Sequence, residues 1–300
     1  MKILSFNYEG QTLFGPKVKR EEAVWDVVSI ADYYGEEKFP RTIIDGIEAG
    51  FDFVEKIRKL VTRAEQDSLA NFKYAFTSIE WLAPIPRTPK NIICVGKNYA
   101  DHANEMGDAK APEKLMIFTK ASTSIAADET DVSIHSELTS QLDYEGELAI
   151  VISKTGKNIP TQLAYDHIFG YTIANDVTAR DIQYGRGQYF LGKSLDESCP
   201  MGPYVVTKDE IPNPNALSIV TKVNDEVRQS SQTDKMIFNV EEIIAEVSRF
   251  ITLEPGDVIL TGTPAGVGKG MTPPGFIQEG DIVKVSVEGI GTLVNRFVNK

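Results

Sequence analysis

The sequence predicts an α+β protein in which most of the chain forms β-strands and long helices are few. Short segments that alternate apolar and polar residues recur along the chain, and the clearest, DIVKVSVEG at 281–289, places three valines on one face. Only two segments, 51–64 and 240–250, have the apolar spacing of a long amphipathic helix. The predicted strands do not alternate regularly with helices, which argues against a doubly wound parallel sheet.

The start of the chain is predicted to form a small α/β domain. Segments 3–6 and 11–14 have the composition of two short strands joined by a turn. A helix is predicted at 51–64, because apolar residues recur there at spacings of three and four. The segment WLAPIPRTPKN at 81–91 has three prolines, which remove backbone donors and fix φ, so we expect an extended connector there. The predicted domains are a small N-terminal domain, 1–82, and a catalytic domain, 83–300.

After this connector the pattern becomes predominantly β. Nine segments are rich in β-branched, aromatic and other apolar residues, as expected of strands. They are 92–95, 115–119, 142–152, 171–175, 204–207, 218–223, 258–261, 282–287 and 292–297. One strong helix is predicted at 240–250, where Asn239 is placed to cap the N-terminus. Short helices are also predicted at 101–106, 163–168 and 179–184.

The charge and the cysteine content exclude several classes of function. The 300 residues carry a formal net charge of −12 at pH 7, whereas nucleic acids and anionic membranes are bound by basic surfaces. We therefore expect neither nucleic acid nor a membrane as a partner, and no apolar run approaches the ~20 residues of a membrane-spanning helix. The N-terminus also lacks the apolar stretch of a signal peptide. Cys94 and Cys199 are predicted to be buried free thiols, so we expect a cytoplasmic protein.

Three acidic residues stand two apart in the stretch LDYEGELAIVI: Asp143, Glu145 and Glu147. In a strand, alternate residues share a face, and a rise of ~3.3 Å per residue places Glu145 and Glu147 close enough to converge on one point. Converging carboxylates repel unless a cation lies between them, and ligation by oxygen alone favours Mg²⁺ or Mn²⁺ over Zn²⁺. The alternative is a solvated strand face, but the run 148–152 is apolar on both faces, as in a buried strand.

A third metal ligand and a general base are predicted elsewhere in the chain. Asp176 follows an apolar strand in FGYTIANDVTARD, although it is equally suited to cap the helix that follows. His102 and Glu105 lie three apart in GKNYADHANEM, so one helical turn places a carboxylate beside an imidazole. Such a pair can act as a general base, and a surface ion pair without function is the alternative. His135 and His167 have no comparable setting and are predicted to be structural.

The glycine-rich stretch ILTGTPAGVGKG at 259–270 looks like a phosphate-binding loop but does not match one. The pattern G-x-x-x-x-G-K ending at Gly268 and Lys269 requires a glycine where Thr263 stands. The pattern G-x-G-x-x-G fails as well, because Met271 occupies the place of its last glycine. We expect a turn after a buried strand, whose N–H groups and Thr263 hydroxyl are free to hold a small anion such as a carboxylate.

Five segments in order, VGKNYADH, LDYEGELAIVI, GYTIANDVTARDIQ, GKSLDESCPMGP and ILTGTPAGVG, resemble the signature segments of the fumarylacetoacetate hydrolase family. The resemblance implies a mixed β-roll catalytic domain, a homodimer, and a bound Mg²⁺ or Mn²⁺ ion. The implied metal ligands are Glu145, Glu147 and Asp176. Asp143 is expected to make a supporting hydrogen bond, and water rather than Asp101 is expected as a further ligand.

The resemblance also implies roles for residues around the ion. The implied catalytic residues are His102, Glu105 and Lys193. The implied substrate-binding residues are Arg180, Gln183, Thr263, Lys97 and Lys120. The glycine-containing segments NEMGDAKAPEK and DIQYGRGQYFLGK are expected to form mobile lid loops over the pocket.

The implied reaction is the cleavage of a C–C bond in a small 2-oxo or 2,4-dioxo acid through a metal-stabilised enolate. An oxaloacetate decarboxylase and an acylpyruvate hydrolase both fit. In the hydrolase, Glu105 and His102 would activate water, and in both reactions Lys193 would stabilise the enolate charge. Two alternatives stay open: a 2-hydroxy-dienoate isomerase or decarboxylase of aromatic catabolism, and a non-catalytic module that binds a metal and a 2-oxo acid.

Overall fold

The computed structural model describes residues 1–107, 110 and 112–300, and it has the α+β fold that the sequence predicts. Three residues of the predicted lid segment NEMGDAKAPEK, at positions 108, 109 and 111, lie outside the described residues. Within the described residues the α-helices are α1 (Val27–Tyr33), α2 (Ile43–Glu48), α3 (Phe51–Gln66), α4 (Ala100–Glu105), α5 (Arg180–Gly185), α6 (Phe190–Lys193) and α7 (Val240–Phe250). None of the helices in this part of the chain combines the length and the apolar character needed to cross a membrane.

The strands outnumber the helices. In chain order they are β1 (Lys2–Tyr8), β2 (Gln11–Pro16), β3 (Ala23–Trp25), β4 (Lys73–Ala75), β5 (Glu80–Leu82), β6 (Ile92–Gly96), β7 (Met116–Lys120), β8 (Ile125–Ala126), β9 (Asp131–Ser133), β10 (Leu142–Asp143), β11 (Gly146–Ile152), β12 (Ile168–Asn175), β13 (Thr178–Ala179), β14 (Cys199–Thr207), β15 (Ser218–Val223), β16 (Glu226–Gln232), β17 (Val258–Leu260), β18 (Ile282–Val287) and β19 (Gly291–Val298).

Ten of these strands form the main sheet. Its order is β2–β1–β14–β12–β11–β17–β6–β7, with β5 paired to β1 and β8 paired to β14. Most neighbours are antiparallel, whereas β17 runs parallel to β6 and β8 runs parallel to β14. Because β1 pairs with β14, with Lys2 opposite Val206, the first strand of the chain belongs to the same sheet as the later strands. The domain boundary at residues 82 and 83 stays a prediction.

A second sheet covers one face of the main sheet and buries the strand that carries the acidic residues. Its order is β16–β15–β18–β19–β9. The even-numbered apolar residues of β11, such as Leu148, belong to an apolar cluster that includes Val285 of this second sheet. The odd-numbered apolar residues, Ala149 and Val151, belong to another cluster that includes Phe53 of α3. Strand β11 is therefore buried on both faces, as its sequence predicts.

The predicted helix at 240–250 is confirmed with its N-terminal cap. The Asn239 side chain accepts a hydrogen bond from the Glu242 N–H (2.9 Å), and the Glu242 carboxylate accepts one from the Asn239 N–H (2.9 Å). This reciprocal pair satisfies two N–H groups that the helix itself cannot satisfy. Helix α3 is also confirmed and continues two residues beyond the predicted end, to Gln66.

The strand predicted at 142–152 is wrong as a single element, because it consists of β10 and β11 with a break between them. Strand β10 pairs with β13, placing Asp143 opposite Thr178, whereas β11 pairs with β12. Glu145 lies in the break, where its N–H donates to Asn175 Oδ1 (2.9 Å). The short helix predicted at 163–168 is present as a 3₁₀-helix, Thr161–His167.

Candidate active site

Three buried carboxylates converge where β12 ends. Glu145, Glu147 and Asp176 each offer an oxygen, and these atoms lie within 4.8 Å of one another. The backbone sets this arrangement, because the Asp176 N–H donates to the Glu145 carbonyl (2.8 Å) directly after β12 pairs with β11. Asp176 does not cap α5, whose N-cap is Ala179 without a side-chain hydrogen bond, so the capping alternative is wrong.

Two of the three carboxylates are neutralised by buried cations. Lys193 Nζ donates to Glu145 Oε2 and to Asp176 Oδ2, both at 2.7 Å. Lys120 Nζ donates to Asp176 Oδ1 at 2.8 Å. Burial disfavours the charged form of Glu145, but Lys193 and Arg180 outweigh it and lower the pKa of that carboxyl to about 2. Burial also opposes the charge of Lys193, yet Asp176 and Glu145 raise its pKa above the usual value, so the ammonium stays charged.

Glu147 differs, because within residues 1–107, 110 and 112–300 it has no Lys, Arg or His at ion-pair distance. Its Oε2 accepts a hydrogen bond from the Gly262 N–H (2.6 Å), and this glycine, two residues after β17, has a φ of +98°. Burial raises the pKa of Glu147 well above its usual value, and the charges of Asp176 and Glu145 raise it further. A cation shared by the three carboxylates would remove this penalty. The donor set therefore fits a hard, oxygen-ligated ion such as Mg²⁺ or Mn²⁺.

Asp143 lies outside this cluster and supports it, as expected from the sequence. Its Oδ2 accepts a hydrogen bond from Arg180 Nε (2.8 Å), and Arg180 Nη2 lies 2.7 Å from Glu145 Oε1. The N–H groups of Gly268 and Lys269 donate to the same carboxylate at 2.7 and 3.0 Å. One buried aspartate thus fixes both the arginine beside the carboxylate cluster and the glycine-rich turn.

The predicted acid–base pair is formed on α4 and is largely shielded from solvent. His102 Nδ1 lies 3.2 Å from Glu105 Oε2, and the His102 residue is 5% exposed. The Gly266 N–H lies 3.0 and 3.2 Å from the two carboxylate oxygens of Glu105 and donates to both. Burial of His102 argues against a surface ion pair without function. The carboxylate of Glu105 is held so that it orients the imidazole.

A single narrow cleft joins the acid–base pair to the carboxylate cluster. It encloses about 380 Å³ of space, part of it open to solvent. Eight of the predicted site residues line it: Lys97, His102, Glu145, Glu147, Arg180, Gln183, Lys193 and Thr263. The remaining predicted ligand and base-orienting residues, Asp176 and Glu105, contact the cleft residues Lys193 and His102.

The expectation that the Thr263 hydroxyl is free to hold an anion is wrong. Thr263 Oγ1 donates to the Gly146 carbonyl (2.9 Å) and accepts a hydrogen bond from Gln229 Nε2 (2.7 Å). The hydroxyl proton is therefore used within the protein. Thr263 still borders the cleft, and its part in substrate binding stays a prediction.

Neither Lys120 nor Asp101 lines the cleft. Lys120 is fully buried, and its ammonium contacts Asp176 and the Val177 carbonyl (3.0 Å) rather than the cleft. Its position supports a structural contact with the carboxylate cluster and not a contact with substrate. Asp101 is exposed and borders a separate pocket with Lys235, so it does not join the carboxylate cluster. Water as a further ligand stays a prediction.

Comparison with known proteins assigns the family. Residues 91–298 match the family model described as fumarylacetoacetate (FAA) hydrolase C-terminal. The chain belongs to the fumarylacetoacetate hydrolase family. The family match begins next to the proline-rich connector and includes every predicted site residue.

Solved structures similar to this fumarylacetoacetate hydrolase family member include hydrolases and isomerases. A fumarylacetoacetate hydrolase from psychrophilic Exiguobacterium antarcticum is 41% identical with a TM-score of 0.81, and all of both chains is covered. A 5-carboxymethyl-2-hydroxymuconate delta-isomerase from Mycobacterium smegmatis is 32% identical with a TM-score of 0.74, covering 100% of this chain and 99% of that one. A fumarylpyruvate hydrolase from Pseudomonas aeruginosa, in complex with Mn²⁺ and pyruvate, is 33% identical with a TM-score of 0.65, covering 73% and 91%. An uncharacterized protein of Staphylococcus saprophyticus is 48% identical over the whole of both chains.

Sequence reasoning missed the aromatic side chains that form one wall of the cleft in this family member. Phe118 and Tyr189 have ring centroids 5.8 Å apart, and Tyr189 and Tyr184 have centroids 6.2 Å apart. Both tyrosines lie in DIQYGRGQYFLGK, and aromatic residues in a predicted lid segment could have indicated that they line the cleft. Gln229, which binds Thr263 and the Gly146 N–H (3.0 Å), lies on the polar strand β16 and carried no such signal.

Proposed function

We propose that this member of the fumarylacetoacetate hydrolase family cleaves a C–C bond in a small 2,4-dioxo acid, with Mg²⁺ or Mn²⁺ as cofactor, as an acylpyruvate hydrolase. The observation that carries the proposal is the meeting, in one cleft, of the buried carboxylate cluster with a His–Glu pair. A module that only bound a metal and a 2-oxo acid would need the carboxylates but would have no use for a general base.

The carboxylates and their lysine supply the electrostatics of the proposed reaction. Glu145, Glu147 and Asp176 would hold the ion, and a bound Mg²⁺ or Mn²⁺ would act as a Lewis acid toward the carboxylate and keto oxygens of a 2-oxo acid. Lys193 contacts two of these carboxylates and lines the cleft, so its ammonium is placed to stabilise negative charge that develops on the substrate. Arg180 is fixed by two acids and would position the substrate without moving.

The His–Glu pair supplies the proton transfer of the proposed hydrolysis. His102 would take a proton from water as the water oxygen attacks the C4 carbonyl, and the C3–C4 bond would then break. Glu105 holds the imidazole in place and stabilises its protonated form, while the Gly266 N–H holds Glu105. The imidazolium would return its proton to the departing pyruvate fragment, which completes the cycle.

Two related reactions share part of this machinery. Decarboxylation of oxaloacetate releases CO₂ without an attacking water, so it would use the carboxylate cluster and Lys193 but not depend on His102. Isomerisation of a 2-hydroxy-dienoate would use the same imidazole to move a proton between carbons, and the 32% identical delta-isomerase makes this the second candidate. We also propose that the chain forms a homodimer, which light scattering on the purified protein would test.

The test measures pyruvate release from acetylpyruvate and from oxaloacetate with Mg²⁺, with Mn²⁺ and with EDTA. Enzyme-free blanks at each metal concentration are needed, because free metal accelerates loss of CO₂ from oxaloacetate. Glu147→Gln should abolish metal-dependent turnover of both substrates. His102→Asn should reduce acetylpyruvate cleavage by about 10²–10⁴-fold and spare any oxaloacetate decarboxylation.

His167→Asn is the matched control, because the His167 imidazole hydrogen-bonds to the Lys154 carbonyl (2.9 Å) and lies outside the cleft. It should leave both rates unchanged. Turnover of oxaloacetate alone would reassign the protein as a decarboxylase. Absence of turnover of either substrate, with a 2-oxo acid still bound, would overturn the hydrolase proposal and favour the isomerase or the non-catalytic module.

A further inference from the structure

A lysine without a role in the proposed reaction stands at the mouth of the cleft. Lys269 Nζ lies 3.5 Å from the centroid of the Tyr184 ring, and Tyr184 lines the cleft. The backbone N–H of Lys269 is fixed by Asp143, which also binds Arg180. The base of this side chain is therefore anchored to the buried network of the active site, while the residue itself is exposed.

The aromatic wall of the cleft has a cation at each end. At the inner end, Lys193 Nζ lies 4.9 Å from the centroid of Phe118. The rings of Phe118, Tyr189 and Tyr184 follow one another at 5.8 and 6.2 Å, and Lys269 covers the last of them. A ligand whose oxo-acid head is held near Lys193 would thus meet an apolar surface along its body and a positive charge at its far end.

The ammonium of Lys269 has a cation–π contact but no acidic side chain at ion-pair distance in the part of the chain that the structure describes. Burial lowers the pKa of Lys269, and the neighbouring cations Arg180 and Lys97 lower it further, against the opposite effect of Asp143. An anionic ligand group at this place would gain a charge-assisted hydrogen bond from the Lys269 ammonium.

We propose that Lys269 is a specificity-determining residue that pairs with a negatively charged group at the far end of the substrate. The site would then prefer 2-oxo acids with a second, terminal carboxylate over those that end in a methyl group. This inference rests on the proposed function, because the head of the ligand is assigned to the carboxylate cluster. For a partly exposed ion pair, the expected preference is about threefold to tenfold.

Binding of two matched pairs of probes tests this preference without depending on turnover. 2-Oxoadipate is compared with 2-oxohexanoate, and 2-oxoglutarate with 2-oxopentanoate, by isothermal titration calorimetry in Mg²⁺ at low ionic strength. Within each pair the chain length is the same and only the terminal group differs. Lys269→Gln is compared with Lys59→Gln, which removes the same charge from an exposed position on α3 away from the cleft.

We expect the unmodified protein and Lys59→Gln to bind at least one dicarboxylic probe about threefold to tenfold more tightly than its partner. Lys269→Gln should lose this preference and bind the monocarboxylic probe as before. Equal binding within both pairs, or equal loss of both probes in Lys269→Gln, would overturn the role of Lys269 and leave the proposed function standing. Failure of every probe to bind the unmodified protein would overturn the 2-oxo acid site and this inference together.

Discussion

Replacing Asp143 with asparagine should destabilise the protein by about 3–5 kcal/mol, the usual cost of breaking a buried ion pair. The Asp143 side chain is fully buried and accepts four hydrogen bonds, from Arg180 Nε (2.8 Å) and from the N–H groups of Tyr144 (3.0 Å), Gly268 (2.7 Å) and Lys269 (3.0 Å). Asparagine keeps the shape, but its NH₂ group cannot accept. Whichever way the amide is oriented, two buried donors face another donor, and Arg180 loses one of its two acidic partners.

The assay is thermal unfolding of Asp143→Asn beside Asp166→Asn, an exposed aspartate changed in the same way. At roughly 2 °C or more per kcal/mol for a chain of this size, Asp143→Asn should lower Tm by at least about 6 °C, whereas the control should shift it by less than about 1 °C. Catalysis should fall as well, because the turn that Asp143 holds also carries the Gly266 N–H that binds Glu105. A loss in Tm below about 2 °C would refute the reasoning that this carboxylate is the anchor of the turn.

Three further outcomes follow from buried positions elsewhere. Gly146→Ala should cost about 1–3 kcal/mol in unfolding free energy, because a methyl group there would overlap Thr221 Oγ1, and the cost measured by thermal unfolding should shrink in a Thr221→Ala background. Burial raises the pKa of Asp128 to about 7. Between about pH 4 and pH 7 this carboxyl is therefore protonated in the folded protein and ionised in the unfolded chain, so the free energy of unfolding decreases as pH rises through this range. Asp128→Asn should therefore raise Tm more at pH 8 than at pH 5, and an equal shift at both would contradict this. Cys94 and Cys199 are fully buried, and burial raises the pKa of Cys199 to about 12, so both thiols should react with a disulfide reagent only after unfolding.

The position of the carboxylate cluster could be predicted because the signals are local. Glu147 adjoins an apolar run, so the sequence marks its strand as buried. Asp176 ends an apolar strand as well, but the local pattern fits a helix cap equally, and only the family resemblance implied that it completes the ligand set. The hydrogen-bond partners could not be predicted in this way. The Thr263 hydroxyl is used by Gly146, 117 positions away, and by Gln229, 34 positions away, and no local pattern connects them.

The helices and strands show the same contrast between local sequence signals and contacts made by distant residues. Helix α7 was predicted with its bounds because its capping box and apolar stripe lie within its own sequence. The break between β10 and β11 depends on two different partner strands, so the alternation of residues 142–152 alone suggests a continuous strand. Strand β16, EVRQSSQ, was missed because it is a largely polar edge strand and is defined by pairing with β15 rather than by burial.

The charges around the cleft link metal binding, proton release and substrate binding. Four buried carboxylates meet three buried cations, and the members are Asp143, Glu145, Glu147 and Asp176 with Lys120, Arg180 and Lys193. The excess negative charge falls on Glu147, which burial and its acidic neighbours push toward the protonated form. A proton on Glu147 brings the formal charge of these seven groups to zero. A divalent ion would displace that proton and turn the balance to one net positive charge, which a 2-oxo acid carboxylate can neutralise. Substrate affinity should therefore rise with metal occupancy, and metal binding should release protons below the raised pKa of Glu147.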